Sequence, residues 1–205
     1  DGPAWKTADT VTVDSFLPKG SDHRPLVQAR VLYDDWGLYV IFRVEDRYVR
    51  CVRTGLQVRT CDDSCVEFFI EPKGDLGYFN FEMSCGGALL CHHITYKPSS
   101  ESGDKTFTFV DLEWMKKVRR YHSMPEVVEP EVTDPVTWVV EFHVPFAFFE
   151  AHVGELPSLP DNPWRGNFQK LAMESSHPHY AAWSPIGGNG TFHQPEFFAT
   201  LRFGE

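Results

Sequence analysis

Glu67, Asn80 and Glu82 are the residues of this sequence best suited to hold a polar ligand. Two carboxylates and an amide accept and donate in the paired patterns that vicinal hydroxyls offer. Carboxylates held roughly 5–10 Å apart have a second chemistry: they serve as acid and base, or as acid and nucleophile, in glycoside hydrolysis. Like charges brought that close need a partner cation or a ligand. The plain alternative is a solvated polar face, or a network that satisfies a neighbouring Arg or Lys.

A strand pair has to position these groups. Asp62–Ile70 and Tyr78–Met83 flank a break rich in Pro, Gly and Asp, and both flanks alternate with period two. Val66, Phe68 and Ile70 share one face of the first strand, and Phe79, Phe81 and Met83 share one face of the second. Aligning those faces on one core puts Glu67, Asn80 and Glu82, with Tyr78 nearby, on the other side.

The remaining chain reads as more of the same architecture. Val27, Ala29, Val31 and Tyr33 alternate on one arm of a hairpin that turns at Asp34-Asp35-Trp36-Gly37. Leu38, Val40, Phe42 and Val44 alternate on its return. Residues 45–61 lack a clear period and read as a loop with one turn of helix. Further strands are expected at Ala88–Thr95, Thr106–Val110, Val136–Val144, Asn167–Glu174 and Phe198–Phe203. Asp111 is placed to cap a short helix carrying Trp114, Met115, Val118 and Tyr121 at helical spacing. A second helical turn is expected after Pro145. Residues 97–105, 152–163 and 175–190 are loop-like in composition. With no repeat or linker, residues 1–205 read as a single all-β domain. The expected fold is an antiparallel, jelly-roll-like β-sandwich with one or two short helices.

Composition narrows the partners. A net charge of −10 argues against nucleic acid and against an anionic membrane surface, while neutral polyols remain compatible. No apolar run approaches the length of a membrane span. The chain starts at Asp1 without Met, which fits a removed targeting segment and a secreted or periplasmic location. Five cysteines leave at least one unpaired within the chain. Cys61 and Cys65 lie four apart without a further Cys or His at zinc spacing, and buried free thiols are the favoured reading. His92-His93 alternate across a strand, and His177 and His179 sit in a loop, so neither pair has the spacing of a transition-metal site. Structural calcium is the one cofactor candidate, at the acidic loops Asp34-Asp35 or Asp62-Asp63.

Four blocks taken in order resemble the family 9 carbohydrate-binding modules. They are Leu32-Tyr33-Asp34-Asp35 with Leu38-Tyr39-Val40, then Asp63-Ser64-Cys65-Val66-Glu67-Phe68-Phe69-Ile70, then Tyr78-Phe79-Asn80-Phe81-Glu82. The last is Trp164-Arg165-Gly166-Asn167-Phe168 with Trp183-Ser184-Pro185 and Phe192-His193-Gln194-Pro195. The resemblance spans about residues 27–203 and implies a β-sandwich that holds a sugar, typically a glycan reducing end, between two aromatic rings. By position, it implies Glu67, Asn80, Glu82 and Lys170 as polar ligands, with Phe192 and His193 as walls. Lys170 would also supply the cation that the two carboxylates need. The sequence departs from the pattern at three places. Cys61 stands where the first stacking tryptophan would be, Phe192 where the second would be, and Asn80 where the family slot has an arginine.

The expected function is therefore non-catalytic binding of a mono- or oligosaccharide. A glycoside hydrolase using Glu67 and Glu82 is the enzymatic alternative, and a protein-interaction scaffold is the other. No nucleophile elbow or phosphate loop is present to support a different enzyme class.

Overall fold

The computed structural model describes residues 2–96, 104–159, 161–188 and 190–204. Most of the loop expected at 97–105 lies outside the described residues, as does Asn189 in the loop expected at 175–190. In chain order the strands begin β1 (Val11–Thr12), β2 (Ser15–Phe16), β3 (Leu26–Tyr33), β4 (Gly37–Asp46) and β5 (Val49–Cys51). They continue β6 (Cys65–Glu71), β7 (Tyr78–Ser84), β8 (Leu89–Tyr96), β9 (Lys105–Phe109) and β10 (Arg119–His122). The last are β11 (Val128–Val132), β12 (Val136–Pro145), β13 (Trp164–Ala172), β14 (His179–Ala182) and β15 (Ala199–Leu201). Two short helices interrupt them, α1 (Leu112–Met115) and α2 (Phe146–Val153).

Two antiparallel sheets face each other, as the alternating sequence demands. One is five-stranded, in the order β1-β3-β4-β12-β10. The other is eight-stranded, in the order β2-β14-β13-β6-β7-β8-β9, with β15 also on β13. Aromatic rings from the two inner faces meet between the sheets: Phe42 lies 5.8 Å from Phe168, and Phe81 lies 5.9 Å from Phe142. Val66, Phe68, Ile70, Phe79, Phe81 and Met83 all belong to this core and are fully buried. The parity read from the strand pair is thus the observed one, since exposing six apolar side chains would cost about 1.5–3 kcal/mol each.

Three short elements differ from expectation. Within 45–61, β5 pairs with β11 to form a separate two-stranded sheet. The helix expected to run to Tyr121 stops at Met115, and β10 instead pairs Arg119–His122 with His143–Val140 of β12. One helical turn is a weak nucleus, and the open edge of β12 offers Arg119–His122 a full ladder of backbone bonds. Asp111 occupies the helix N-cap position, but its side chain makes no capping bond. Within 175–190, β14 pairs with both β13 and β2. No described helix is long and apolar enough to cross a membrane.

The turn that joins β6 to β7 depends on Gly77. Its φ is +87°, and a Cβ there would meet the Ile94 carbonyl oxygen of β8 at 2.1 Å. Gly77→Ala is expected to lower the unfolding free energy by more than about 1 kcal/mol, read from urea denaturation.

Candidate functional site

The outer face of the eight-stranded sheet carries the polar groups in rows set by the register. Gln169 of β13, Glu67 of β6, Glu82 of β7 and Leu90 of β8 are directly opposed in sequence across four strands. The next row runs Asn167, Phe69, Asn80, His92 and, on β9, Phe109. Directly opposed side chains on antiparallel strands stand about 4.5–5.5 Å apart at Cβ, so Glu67 and Glu82 are immediate neighbours. Both strands that carry them are buried on both faces. The outer face is covered around its polar centre by a second apolar cluster that includes Leu17, Cys65, Phe69, Tyr78, Phe192 and Phe198.

Burial raises both carboxylates of this site above the usual range. Glu67 titrates well above the usual carboxylate range because it is desolvated and then because Glu82 lies beside it. Burial also pushes Glu82 up, to about 7. The Thr60 hydroxyl, the Arg59 charge and the Asn80 amide oppose that rise. Asn80 Nδ2 donates to Glu82 Oε1 at 2.6 Å, and the Thr60 hydroxyl donates to Glu82 Oε2 at 3.3 Å. Asn80 Oδ1 accepts the His92 backbone N–H at 2.8 Å, which fixes the amide's orientation. Cys61, where the family pattern has a tryptophan, is half-buried at the rim of this face. Burial and then the Glu82 and Glu67 charges raise its thiol to about 11.

The two wall residues behave differently. Phe192 packs into the outer apolar cluster at 8% exposure, so it backs the site and offers a ligand little open ring. His193 lies beside the site, with Nδ1 2.9 Å from the Tyr78 hydroxyl and its ring 4.9 Å from Phe69. Burial, then His92 and Lys105, holds its imidazole down to about 4, so it is neutral at physiological pH.

Lys170 requires a correction. It is opposed to Val66, not to Glu67, so its side chain points between the sheets. There it is fully buried, 3.4 Å from Asp46 Oδ2 and 2.7 Å from His179 Nε2. It is absent from the polar face because β13 alternates, and Phe168 and Lys170 share the inner parity.

Gln169, the residue before Lys170, takes the outer position that the motif reading gave to the lysine. It is fully buried, and neither Oε1 nor Nε2 finds a hydrogen-bond partner among the described residues. An unmet buried polar group costs about 1–3 kcal/mol, and a ligand hydroxyl placed against the amide would relieve it. The inner parity of Phe168 was the signal in the sequence that pointed to Gln169. His92, with Nδ1 buried and unpartnered among the described residues, was likewise missed.

The carboxylates of Asp34, Asp62 and Asp63 in the acidic loops are engaged by protein donors. Asp34 accepts the Trp36 and Gly37 backbone N–H groups and the Tyr39 hydroxyl. Asp62 is engaged by Arg53 and Arg59, and Asp63 by the Val52 and Arg53 N–H groups. No group of three or more metal-ligating side chains occurs among the described residues. All five cysteines are free thiols.

Comparison with known proteins adds a family and a fold. The model of carbohydrate-binding family 9 matches residues 5–203. A candidate carbohydrate-binding protein from Bacteroides uniformis is 28% identical with a TM-score of 0.82, over 97% of this chain and 88% of that one. A family 9 carbohydrate-binding module from Caldicellulosiruptor kristjanssonii, solved with glucose, has 12% identity and a TM-score of 0.63 over 100% and 88% of the two chains. The same organism's family 9 module solved with cellotriose has 14% identity and a TM-score of 0.59, over 98% and 85%. No curated protein matches.

Proposed function

The chain belongs to carbohydrate-binding family 9, and from that premise we propose that it binds a saccharide non-covalently on the outer face of the eight-stranded sheet. The observation that carries the placement is Gln169, a fully buried amide with both polar atoms unmet, directly opposed to Glu67. Glu67 and Glu82 with raised pKa values, a neutral His193 and two amides together form a set of donors and acceptors that carries less charge than two free carboxylates would. That set suits the hydroxyls of a neutral sugar, each of which both donates and accepts. The relatives solved with glucose and cellotriose make gluco-configured sugars the first ligands to try.

The carboxylate pair is the feature that a glycoside hydrolase would share. Glu82 is already committed to Asn80 and Thr60, which favours hydroxyl binding over proton transfer in this pair. A secreted or periplasmic location goes with this reading, because polysaccharide ligands are met there.

A glycan array run with calcium and with a chelator tests the proposal, followed by calorimetry with glucose and cellotriose. Matching signals in the two conditions are expected, since Asp34, Asp62 and Asp63 are held by protein donors. Glu67→Ala is expected to weaken binding by about tenfold, the equivalent of one buried hydrogen bond. Silence across the array, or unchanged affinity in Glu67→Ala, would sink the proposal. Release of a shortened glycan would favour the hydrolase.

A further inference from the structure

The polar face continues into two exposed aromatic rings. β9 lies at one edge of the eight-stranded sheet, and its register sets Phe109 against His92 and Phe107 against Ile94. β8 in turn sets His92 against Asn80 and Ile94 against Tyr78. Phe107 and Phe109 therefore share the outer face with Asn80, Glu67 and Glu82. They are 47% and 57% exposed. Bare aromatics on an edge strand invite unwanted pairing, and edges are ordinarily charged or covered. Exposed aromatics beside a buried polar cluster have the anatomy of a binding site, in which apolar surface surrounds a few directed polar groups.

The two imidazoles connect the rings to the polar rows. His92 lies 4.3 Å from Phe109 at a tilt of 33°, and His193 meets Phe107 edge-on at 4.8 Å. His92 Nδ1 is buried with no partner among the described residues. The usual stacking positions contribute little, since Cys61 carries no ring and Phe192 is 8% exposed.

We propose that Phe109, flanked by Phe107 and His92, is a stacking subsite for a further pyranose unit of an oligosaccharide whose first unit occupies the Gln169–Glu67–Glu82 row. This rests on the sugar-binding function proposed above and locates its stacking surface on β9. The electron-rich ring face attracts the slightly positive C–H face of a pyranose, as it does other ring edges. His92, opposed to Phe109 on β8, carries the unpartnered Nδ1 that would bond a hydroxyl of that unit. Asn80 and Phe109 are two strand spacings apart, ~10 Å, which a short oligosaccharide spans and a monosaccharide does not.

Titration calorimetry of the wild-type chain, Phe109→Ala and Phe109→Trp with glucose and with cellotriose tests this. Phe109→Ala is expected to weaken cellotriose by about tenfold and to leave glucose within about twofold, with Phe109→Trp restoring the cellotriose affinity. Phe109 is half exposed, so thermal melting of the variants should match the wild type and confirm intact folding. Unchanged cellotriose affinity in Phe109→Ala, an equal loss for both sugars, or a wild-type chain that binds cellotriose no better than glucose would each overturn the subsite alone. A wild-type chain that binds neither sugar would overturn the subsite and the sugar-binding function together.

Discussion

Lys170→Ala is expected to lower the unfolding free energy by about 3–5 kcal/mol, the usual consequence of removing one partner of a buried ion pair. Lys170 and Asp46 side chains are both fully buried and lie on opposite sheets, β13 and β4. Burial alone would raise the Asp46 carboxyl, but the Lys170 charge, the His23 hydrogen bond and the His179 ring hold it well below its ordinary value. His23 lies 2.7 Å from Asp46 Oδ1, and the Trp138 indole N–H donates to Oδ2 at 3.3 Å. On the other side the ammonium donates to His179 Nε2, while His179 Nδ1 donates to the His177 carbonyl. Burial and then Lys170 push that imidazole down to about 3, so it acts as a neutral acceptor. Deleting the ammonium leaves Asp46 charged in the interior with fewer partners. Urea denaturation reads the loss, and Lys170→Met with Asp46→Leu should recover most of it by replacing the pair with apolar volume. Sugar affinity of the folded Lys170→Ala fraction should match the wild type. A variant of normal stability with lost affinity would return Lys170 to the polar face and contradict the β13 register.

Lys170 shows where the sequence was legible and where it was not. Strict alternation in Val66–Ile70 and Tyr78–Met83 was enough to place Glu67, Asn80 and Glu82 on one face, because six apolar partners agree on the other. On β13 the family motif and the alternation disagree, and the strand follows the alternation. The inner parity of Trp164 and Phe168 puts Lys170 inside and Gln169 outside. β5, β10 and β14 carry three or four residues each, too few for a period to emerge, and their existence depends on open edges elsewhere in the sheets. The alternation of Phe107 and Phe109 with Thr106 and Thr108 was visible as a strand. Which face the rings took was not visible, because it depends on how β9 registers on β8, and a loop-like connection as long as 97–104 leaves that register open.

The carboxylate pair sets the second large effect, on stability against pH. Glu67 and Glu82 both titrate above the ordinary glutamate value of 4.5, and Glu82 at about 7. At pH values between, the folded chain therefore holds more protons than the unfolded chain, and stability falls as pH rises. The stabilisation is fully present below about pH 4.5. It declines through about pH 7 as Glu82 ionises and continues to decline above that as Glu67 follows. A rise from 4.5 to about 7 corresponds to on the order of 3 kcal/mol for Glu82. Glu82→Gln keeps the shape and removes the titration, so its stability at pH 8 is expected to exceed that of the wild type. The two proteins should converge near pH 5, and urea denaturation at both pH values reads the difference. The same change should weaken sugar binding, since it removes one acceptor oxygen: with the amide oxygen kept on Asn80 Nδ2, the side facing the Thr60 hydroxyl becomes a donor. A polar cluster kept at a cost to stability is what a binding face requires when its groups wait for a ligand. If Glu82→Gln instead lowers stability at both pH values and leaves sugar affinity unchanged, the pair is a structural network of the sheet and the ligand lies elsewhere.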